Sequence, residues 1–235
     1  MTVELHPITG IPEVRRGDDV AGLIVGALED LDLRVRAGDV LVVTHKIVSK
    51  AEGAIALLDG DDEDRAYRRL VEEEAVEVVR RRGDLAITIT KHGFICANAG
   101  ADRSNTAPGT AVLLPERPDR SAHTIRMGVR ARTGVDLAVI VTDTFGRAWR
   151  RGLVDVAIGV SGIDPILDLR GTTDEQGRVL EVTEVAIVDE IAAAADLVMG
   201  KASGVPAALV RGLDLAMGEG RIADIVRAPH EDLFR

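Results

Sequence analysis

Aromatic side chains are scarce in this chain: one Trp, one Tyr and three Phe among 235 residues, or 2%. A core must therefore be built from Ala, Val, Leu and Ile, and a stacking platform for single-stranded nucleic acid is not expected. Positive charge is in deficit too. Lys and Arg number 29 against 39 Asp and Glu, a formal net charge of −10, which argues against a nucleic-acid partner whose phosphates need a basic surface. A single cysteine, Cys96, leaves no intramolecular disulfide and fits a reducing compartment. Flanked by Ile95 and Ala97, it reads as a small packed residue rather than a nucleophile. The N-terminal residues 1–6 lack the basic and apolar regions of a signal peptide. No apolar run approaches the roughly 20 residues that span a bilayer. No membrane partner is expected, and the expected location is cytoplasmic. Also missing are Gly-x-x-x-x-Gly-Lys-Ser/Thr, Gly-x-Gly-x-x-Gly and any Cys or paired-His metal set, which removes P-loop, dinucleotide and zinc readings.

What remains is a globular balance, 46% hydrophobic and 29% charged, in a length that can bury one large core or two small ones. Strands are expected at 3–6, Val40–Thr44, Leu85–Thr90, 110–114, 137–142, 154–160, 166–169 and 207–210. Helices are expected from Asp18-Asp19 onward, at 63–82, 121–133 and 183–199, and again at the C-terminus. The first helix would place Val20, Leu23, Ile24, Ala27, Leu28 and Leu31 on one face. This alternation predicts a mixed α/β protein. Residues 1–235 read as a single domain, and composition marks no subdomain boundary.

Two polar segments stand out against that frame. Lys91-His92-Gly93-Phe94-Ile95-Cys96-Ala97-Asn98-Ala99-Gly100-Ala101-Asp102-Arg103-Ser104-Asn105 follows an expected strand. Asp143-Thr144-Phe145-Gly146-Arg147-Ala148-Trp149-Arg150-Arg151-Gly152 follows another. Each is expected as a loop. Carboxylates at strand ends beside Gly and clustered Arg suit a metal-bridged polyphosphate, because Asp offers hard oxygens to Mg²⁺ or Mn²⁺ and Arg pairs with phosphate. Either Asp alone could equally be a turn or N-cap residue; the two loops together favour a site. Arginines at 80–82 would end a helix in solvent, whereas those at 126–132 and 147–151 are better placed for an anionic ligand.

Longer motifs carry a resemblance. Lys46-Ile47-Val48-Ser49-Lys50-Ala51-Glu52-Gly53, His92-Gly93-Phe94-Ile95-Cys96-Ala97-Asn98-Ala99-Gly100 with Asp102-Arg103-Ser104-Asn105, and Thr142-Asp143-Thr144-Phe145-Gly146-Arg147 are similar to the coenzyme F420-0:L-glutamate ligase family. Ala157-Ile158-Gly159-Val160-Ser161-Gly162, Asp168-Leu169-Arg170-Gly171, Gly200-Lys201 and Val205-Pro206-Ala207-Ala208-Leu209-Val210-Arg211-Gly212 agree in consistent order. The chain resembles the stand-alone form, without a nitroreductase-like domain.

The resemblance implies a GTP-dependent ligase that joins L-glutamate to F420-0, a deazaflavin carrying a phospholactate, and can extend a γ-linked glutamate tail. It implies two divalent cations, Mg²⁺ or Mn²⁺, frequently a K⁺, and an intertwined homodimer of mixed sheets with two intimately associated subdomains. By motif position, Asp102 and Asp143 would bind one metal and Thr144 the second, with Arg147 beside them in the catalytic set. Ile11, Pro12, Glu13, Val14, His45, Lys50 and Asn105 would contact GTP, as would Met199, Gly200, Lys201, Ala202, Ser203, Gly204, Val205 and Pro206. Three positions depart from the pattern. Lys201 stands where archaeal relatives carry a metal-binding Gln, and a protonated Lys cannot ligate a metal. His45 stands where some relatives have Ser, and Ala148 where Pro is usual.

The implied chemistry suits the residue types. A carboxylate becomes reactive toward an amine after transfer of a γ-phosphoryl group, a step catalysed by positioning and charge neutralisation. Lys50 would be a point charge on phosphate, and Arg147, Arg150 and Arg151 could hold carboxylates or phosphates. His92 reads equally as a structural or a catalytic histidine, and Glu52 as a metal ligand or a helix cap. Two other functions share these motifs: a ligase for another phosphorylated acid, and a nucleotide-binding regulator without catalysis.

Overall fold

Val40-Leu41-Val42-Val43 and residues 138–142 are continuous runs of small, mostly β-branched side chains, a pattern that fits strands covered on both faces. The computed structural model, which describes residues 2–60 and 62–234, places them side by side as a parallel pair, with Val40 opposite Ala138 and Thr44 opposite Thr142. In chain order the elements are β1 (Glu4–Pro7), α1 (Val20–Asp30), β2 (Val40–Thr44), α2 (His45–Glu52), β3 (Ile55–Leu57), α3 (Glu63–Glu74), β4 (Ala75–Arg82), β5 (Leu85–Thr90), β6 (Ile95–Ala97), β7 (Thr110–Val112), α4 (Pro118–Thr133), β8 (Ala138–Arg147), β9 (Arg150–Ser161), β10 (Leu167–Asp168), β11 (Glu184–Val185), α5 (Ile187–Met199) and β12 (Ala207–Arg211). The main sheet has the order β1-β12-β2-β8-β9, and only the β2–β8 pairing is parallel. Helices α4 and α5 both pack on β9, and α1 packs on α4. The core is aliphatic, with Ile24, Leu41, Ile140, Ile158 and Leu209 fully buried.

The excursion between β2 and β8 builds a three-stranded sheet, β4-β5-β6, and a β3–β7 pair. Small clusters around Leu58, Ala66 and Ala111 and around Val71, Ala86 and Ala101 hold α3 against them, with Tyr67 and Leu70 packed on both. Among the described residues no helix is long and apolar enough to cross a membrane.

Local chemistry explains where the elements begin and where expectation fails. Asp19 caps α1 by accepting from Gly22 N at 3.1 Å, and Asp62 caps α3 by accepting from Arg65 N at 3.0 Å. The helix expected over 63–82 ends at Glu74. Val76, Val78 and Val79 are β-branched and favour the extended form, and Gly83, at φ 59°, turns the chain back so that Arg82 pairs with Leu85. Residues 45–52, for which no element was expected, form α2, closed by Gly53. The expected C-terminal helix is reduced to two 3₁₀ turns, Ile222–Ile225 and Pro229–Glu231. Glycines at 212, 218 and 220 and Pro229 deny that stretch a continuous helix. The second polar segment is not a loop: residues 143–147 continue β8, which pairs with β9 down to Arg147 opposite Arg150.

One buried ion pair ties the sheet together. Arg211 on β12 donates to both oxygens of Asp39, Nε at 2.8 Å and Nη2 at 2.7 Å, and Nη2 also reaches Arg34 O. Asp39 is 2% exposed. Removing one partner leaves the other charge buried, so Asp39→Ala is expected to lower unfolding free energy by about 3 kcal/mol. Urea denaturation that shows a loss below about 1 kcal/mol would contradict this role for the pair.

Candidate active site

A parallel strand pair directs both carboxyl ends to one edge, where open α/β sheets bind ligands. Here Thr44 passes directly into the N-terminus of α2, and Thr142 leads into Asp143 and Thr144. A cavity of about 460 Å³ opens at this edge. Its wall includes Ile11, Pro12, Glu13 and Val14 from the loop after β1, and Thr44, His45, Lys46, Ile47 and Lys50 from β2 and α2. Asp102 and Asn105 close one side. Thr142, Asp143, Thr144 and Asp155 come from the β8–β9 hairpin, and Asp196, Met199, Gly200, Lys201, Ala202, Gly204, Val205 and Pro206 from the end of α5 and the loop beyond.

Nearly all the residues expected from sequence thus converge. Two do not. Ser203 is turned back on α5, its Oγ donating to Met199 O and Gly200 O. Arg147 sits at the hairpin tip, where its Nη2 donates to Arg151 O at 2.7 Å. Four residues along a strand carry it about 13 Å beyond Asp143, so within one chain it lies away from the cavity, as do Arg150 and Arg151.

Several of the cavity's charges are paired with one another. Lys46 Nζ lies 2.8 Å from Asp102 Oδ2 and donates to Ser104 Oγ at 2.6 Å. Asp102 also accepts from Ser104 N at 2.7 Å and Ser104 Oγ at 2.9 Å. Burial pushes the Asp102 carboxyl up, but Lys46 and Ser104 outweigh it and hold the group below the ordinary carboxylate range. Lys50 Nζ meets Glu13 Oε1 at 2.6 Å. His45 Nε2 lies 3.2 Å from Asp143 Oδ1, and Asp143 Oδ1 accepts from Thr144 N at 2.7 Å.

Asp155 escaped the sequence reading. It stands opposite Thr144 across the hairpin and accepts from Thr144 Oγ1 at 2.7 Å and Thr142 Oγ1 at 3.1 Å. Burial pushes this carboxyl up, against the two threonine bonds and with the charges of Asp196 and Asp143. Its one sequence signal was an acid inside an apolar strand, Val154-Asp155-Val156. Lys46 was visible only as part of a motif, and Asp196 not at all.

The small residues before Asp102 serve packing rather than a ligand. Asn98 and Ala99 take left-handed φ of 51° and 55°. Asn98 Oδ1 accepts from Ala86 N, and Ala99 N donates to Thr88 Oγ1, both at 2.9 Å. At Gly100 a Cβ would lie 2.6 Å from Leu114 Cγ. This tight turn delivers Asp102 to a backbone bridge with Val112, which fixes its direction. His92 is structural: it stacks on Phe94, and its Nε2 faces Pro115 O at 3.0 Å. Glu52 neither caps α2 nor lines this cavity; it accepts from Ser121 Oγ at 2.5 Å.

Known proteins resemble this chain over most of its length. A family model described as F420-0:Gamma-glutamyl ligase matches residues 9–212. A coenzyme F420:L-glutamate ligase of Methanopyrus kandleri is 43% identical, covering 100% of this chain and 98% of the relative. Proteins of the same description from Methanothermobacter thermautotrophicus and Archaeoglobus fulgidus are each 41% identical over all of this chain and 100% and 97% of their own lengths.

Cys96 is buried, and that burial pushes its thiol up to about 12, with the Asp143 charge adding to the rise. The thiolate fraction is then negligible well below that value. Native protein at pH 8 is expected to resist iodoacetamide and to react only in denaturant, as followed by intact mass. Rapid alkylation of the folded protein would show the site to be open.

Proposed function

The chain belongs to the F420-0:gamma-glutamyl ligase family, and on that premise we propose that it joins L-glutamate to F420-0 using GTP. The observation that carries this reading is the meeting of Asp102, Asp143, Thr144, Lys46 and Lys50 in one cavity at the carboxyl ends of the parallel pair. In the proposed route the F420-0 carboxylate takes the γ-phosphoryl group, releasing GDP. The glutamate amine then attacks the acyl phosphate, forming the amide and expelling phosphate. Both steps need aligned reactants and neutralised charge more than acid–base chemistry.

The donor set fits divalent cations. Five carboxylates, on Glu13, Asp102, Asp143, Asp155 and Asp196, line the cavity with three lysines, Lys46, Lys50 and Lys201. A polyphosphate entering such a wall needs added positive charge. Among the described residues, no group of three or more His, Cys, Asp or Glu is arranged to hold an ion alone. Asp102 and Asp143 would hold Mg²⁺ or Mn²⁺ through their carboxylates, together with the nucleotide. Such cations would supply positive charge that offsets the charge developing on the phosphates.

The chain's own groups would act as follows. Asp102 and Asp143 hold the cations. Thr144 Oγ1 donates its hydrogen bond to Asp155, which would leave its lone pairs free for a cation. Lys46 and Lys50 exchange their carboxylate partners for phosphate. The N-terminus of α2 adds unpaired backbone N–H groups for the same anion. Arg147, Trp149 (79% exposed) and Leu153 (59% exposed) project at the hairpin tip. An intertwined homodimer would cover this tip and could bring Arg147 to the partner's acceptor.

Incubation with GTP, Mn²⁺, L-glutamate and F420-0 is expected to give a glutamylated product by mass spectrometry, with GDP in equal amount. GDP release without dependence on F420-0 and glutamate would sink the reading. Lys50→Ala is expected to weaken GTP binding by about 10- to 100-fold, the equivalent of one charge-assisted contact, with the fold intact. Unchanged affinity by calorimetry would remove Lys50 from the site. Light scattering is expected to give twice the 25.0 kDa chain mass, through an interface above about 2,000 Å²; a fully active monomer would exclude the dimer.

A further inference from the structure

Among the described residues, two buried side-chain polar atoms lack a hydrogen-bond partner: His45 Nε2 and His92 Nδ1. Only His45 lines the cavity. His45 as a residue is 1% exposed, and it is the first residue of α2, so packing fixes its direction. On the far side of the ring, Nδ1 lies 3.4 Å from Ser49 Oγ, one helical turn later. With Nδ1–H donated to that hydroxyl, Nε2 carries a bare lone pair. That lone pair meets a carboxylate oxygen, Asp143 Oδ1, at 3.2 Å, without the alignment of a hydrogen bond. Two lone pairs held this close in a buried site repel unless something positive sits beside both.

The separation identifies what fits. With metal–ligand bonds of about 2.1–2.2 Å, two adjacent ligands of an octahedral ion lie about 3.0–3.1 Å apart. The 3.2 Å between His45 Nε2 and Asp143 Oδ1 is close to that edge. The Ser49 contact is the outer-shell bond that a metal-bound histidine ordinarily makes through its other nitrogen. We infer that His45 is a direct metal ligand, sharing with Asp143 one octahedral first-row transition cation. The inference rests on reading the cavity as a metal–nucleotide site. Its consequence is selectivity. Imidazole nitrogen suits first-row transition ions, whereas Mg²⁺ takes oxygen, so this chain should prefer Mn²⁺.

Electron spin-echo modulation of bound Mn²⁺ tests it, with Mn²⁺ alone and with Mn²⁺ plus GTP. The expected result is a directly coordinated nitrogen signal that changes from ¹⁴N to ¹⁵N when histidine alone is labelled and vanishes in His45→Gln. In that variant, Mn²⁺ affinity by calorimetry should fall about tenfold or more, with Mg²⁺ affinity much less affected. Mn²⁺ bound with no histidine nitrogen, or with the same signal persisting in a folded His45→Gln protein, overturns the inference and leaves the proposed function standing. Failure of Mn²⁺ to bind in either arm overturns both. The labelled wild-type protein decides the question even if the variant does not fold.

Discussion

The parallel pairing of β2 with β8 is the constraint on which the rest depends. An antiparallel pair would send Thr44 and Thr142 to opposite edges. In parallel register they are neighbours, so the start of α2 and the Asp143-Thr144 pair face the same opening. The pairing can exist only because both strands are clothed on both faces, and here that clothing is aliphatic. Scarcity of aromatic residues is thus matched by small branched side chains that interdigitate closely, backed at one end of the sheet by the Asp39–Arg211 ion pair.

Charge inside the cavity obeys a second constraint. Ions withdrawn from water need partners, and the pairs here are Lys46 with Asp102, both largely covered, and Lys50 with the mostly exposed Glu13. Each couples a group suited to phosphate with a group suited to a cation. A metal–polyphosphate complex offers both kinds of partner at once, so it can replace the two pairs without leaving any member alone. A bare anion would satisfy the lysines and strand the carboxylates. A bare cation would do the reverse.

Much of this was readable in sequence. The β2 and β8 runs announced themselves by continuous apolar side chains, α1 by its Asp cap, and the site by the carboxylates of the polar segments. Less was readable where an outcome depended on partners distant in the chain. The end of α3 at Glu74 was set by a turn nine residues later at Gly83, which hydrophobic periodicity alone did not weigh. Asp155 acquired its role from two threonines across a hairpin, and a lone acid in a strand gives no local sign of that. Arg147 looked close to Asp143 because four residues are few. An extended strand turns those four into a long reach, whereas the expected loop would have folded them back.

The threonine–carboxylate trio and His45 show opposite solutions to one problem. Thr142, Thr144 and Asp155 lie within a covered sheet, and each hydroxyl finds a carboxylate oxygen. His45 Nε2, a few ångströms from Asp143, finds no hydrogen-bond partner. An unsatisfied buried polar atom costs on the order of 1–3 kcal/mol, comparable to a sizeable fraction of a domain's net stability. Two such atoms are found among the described residues, and His92 Nδ1 lies away from the cavity. At His45 the cost falls where α2 begins and β8 leaves the covered part of the sheet, an edge at which a ligand can supply what the protein lacks.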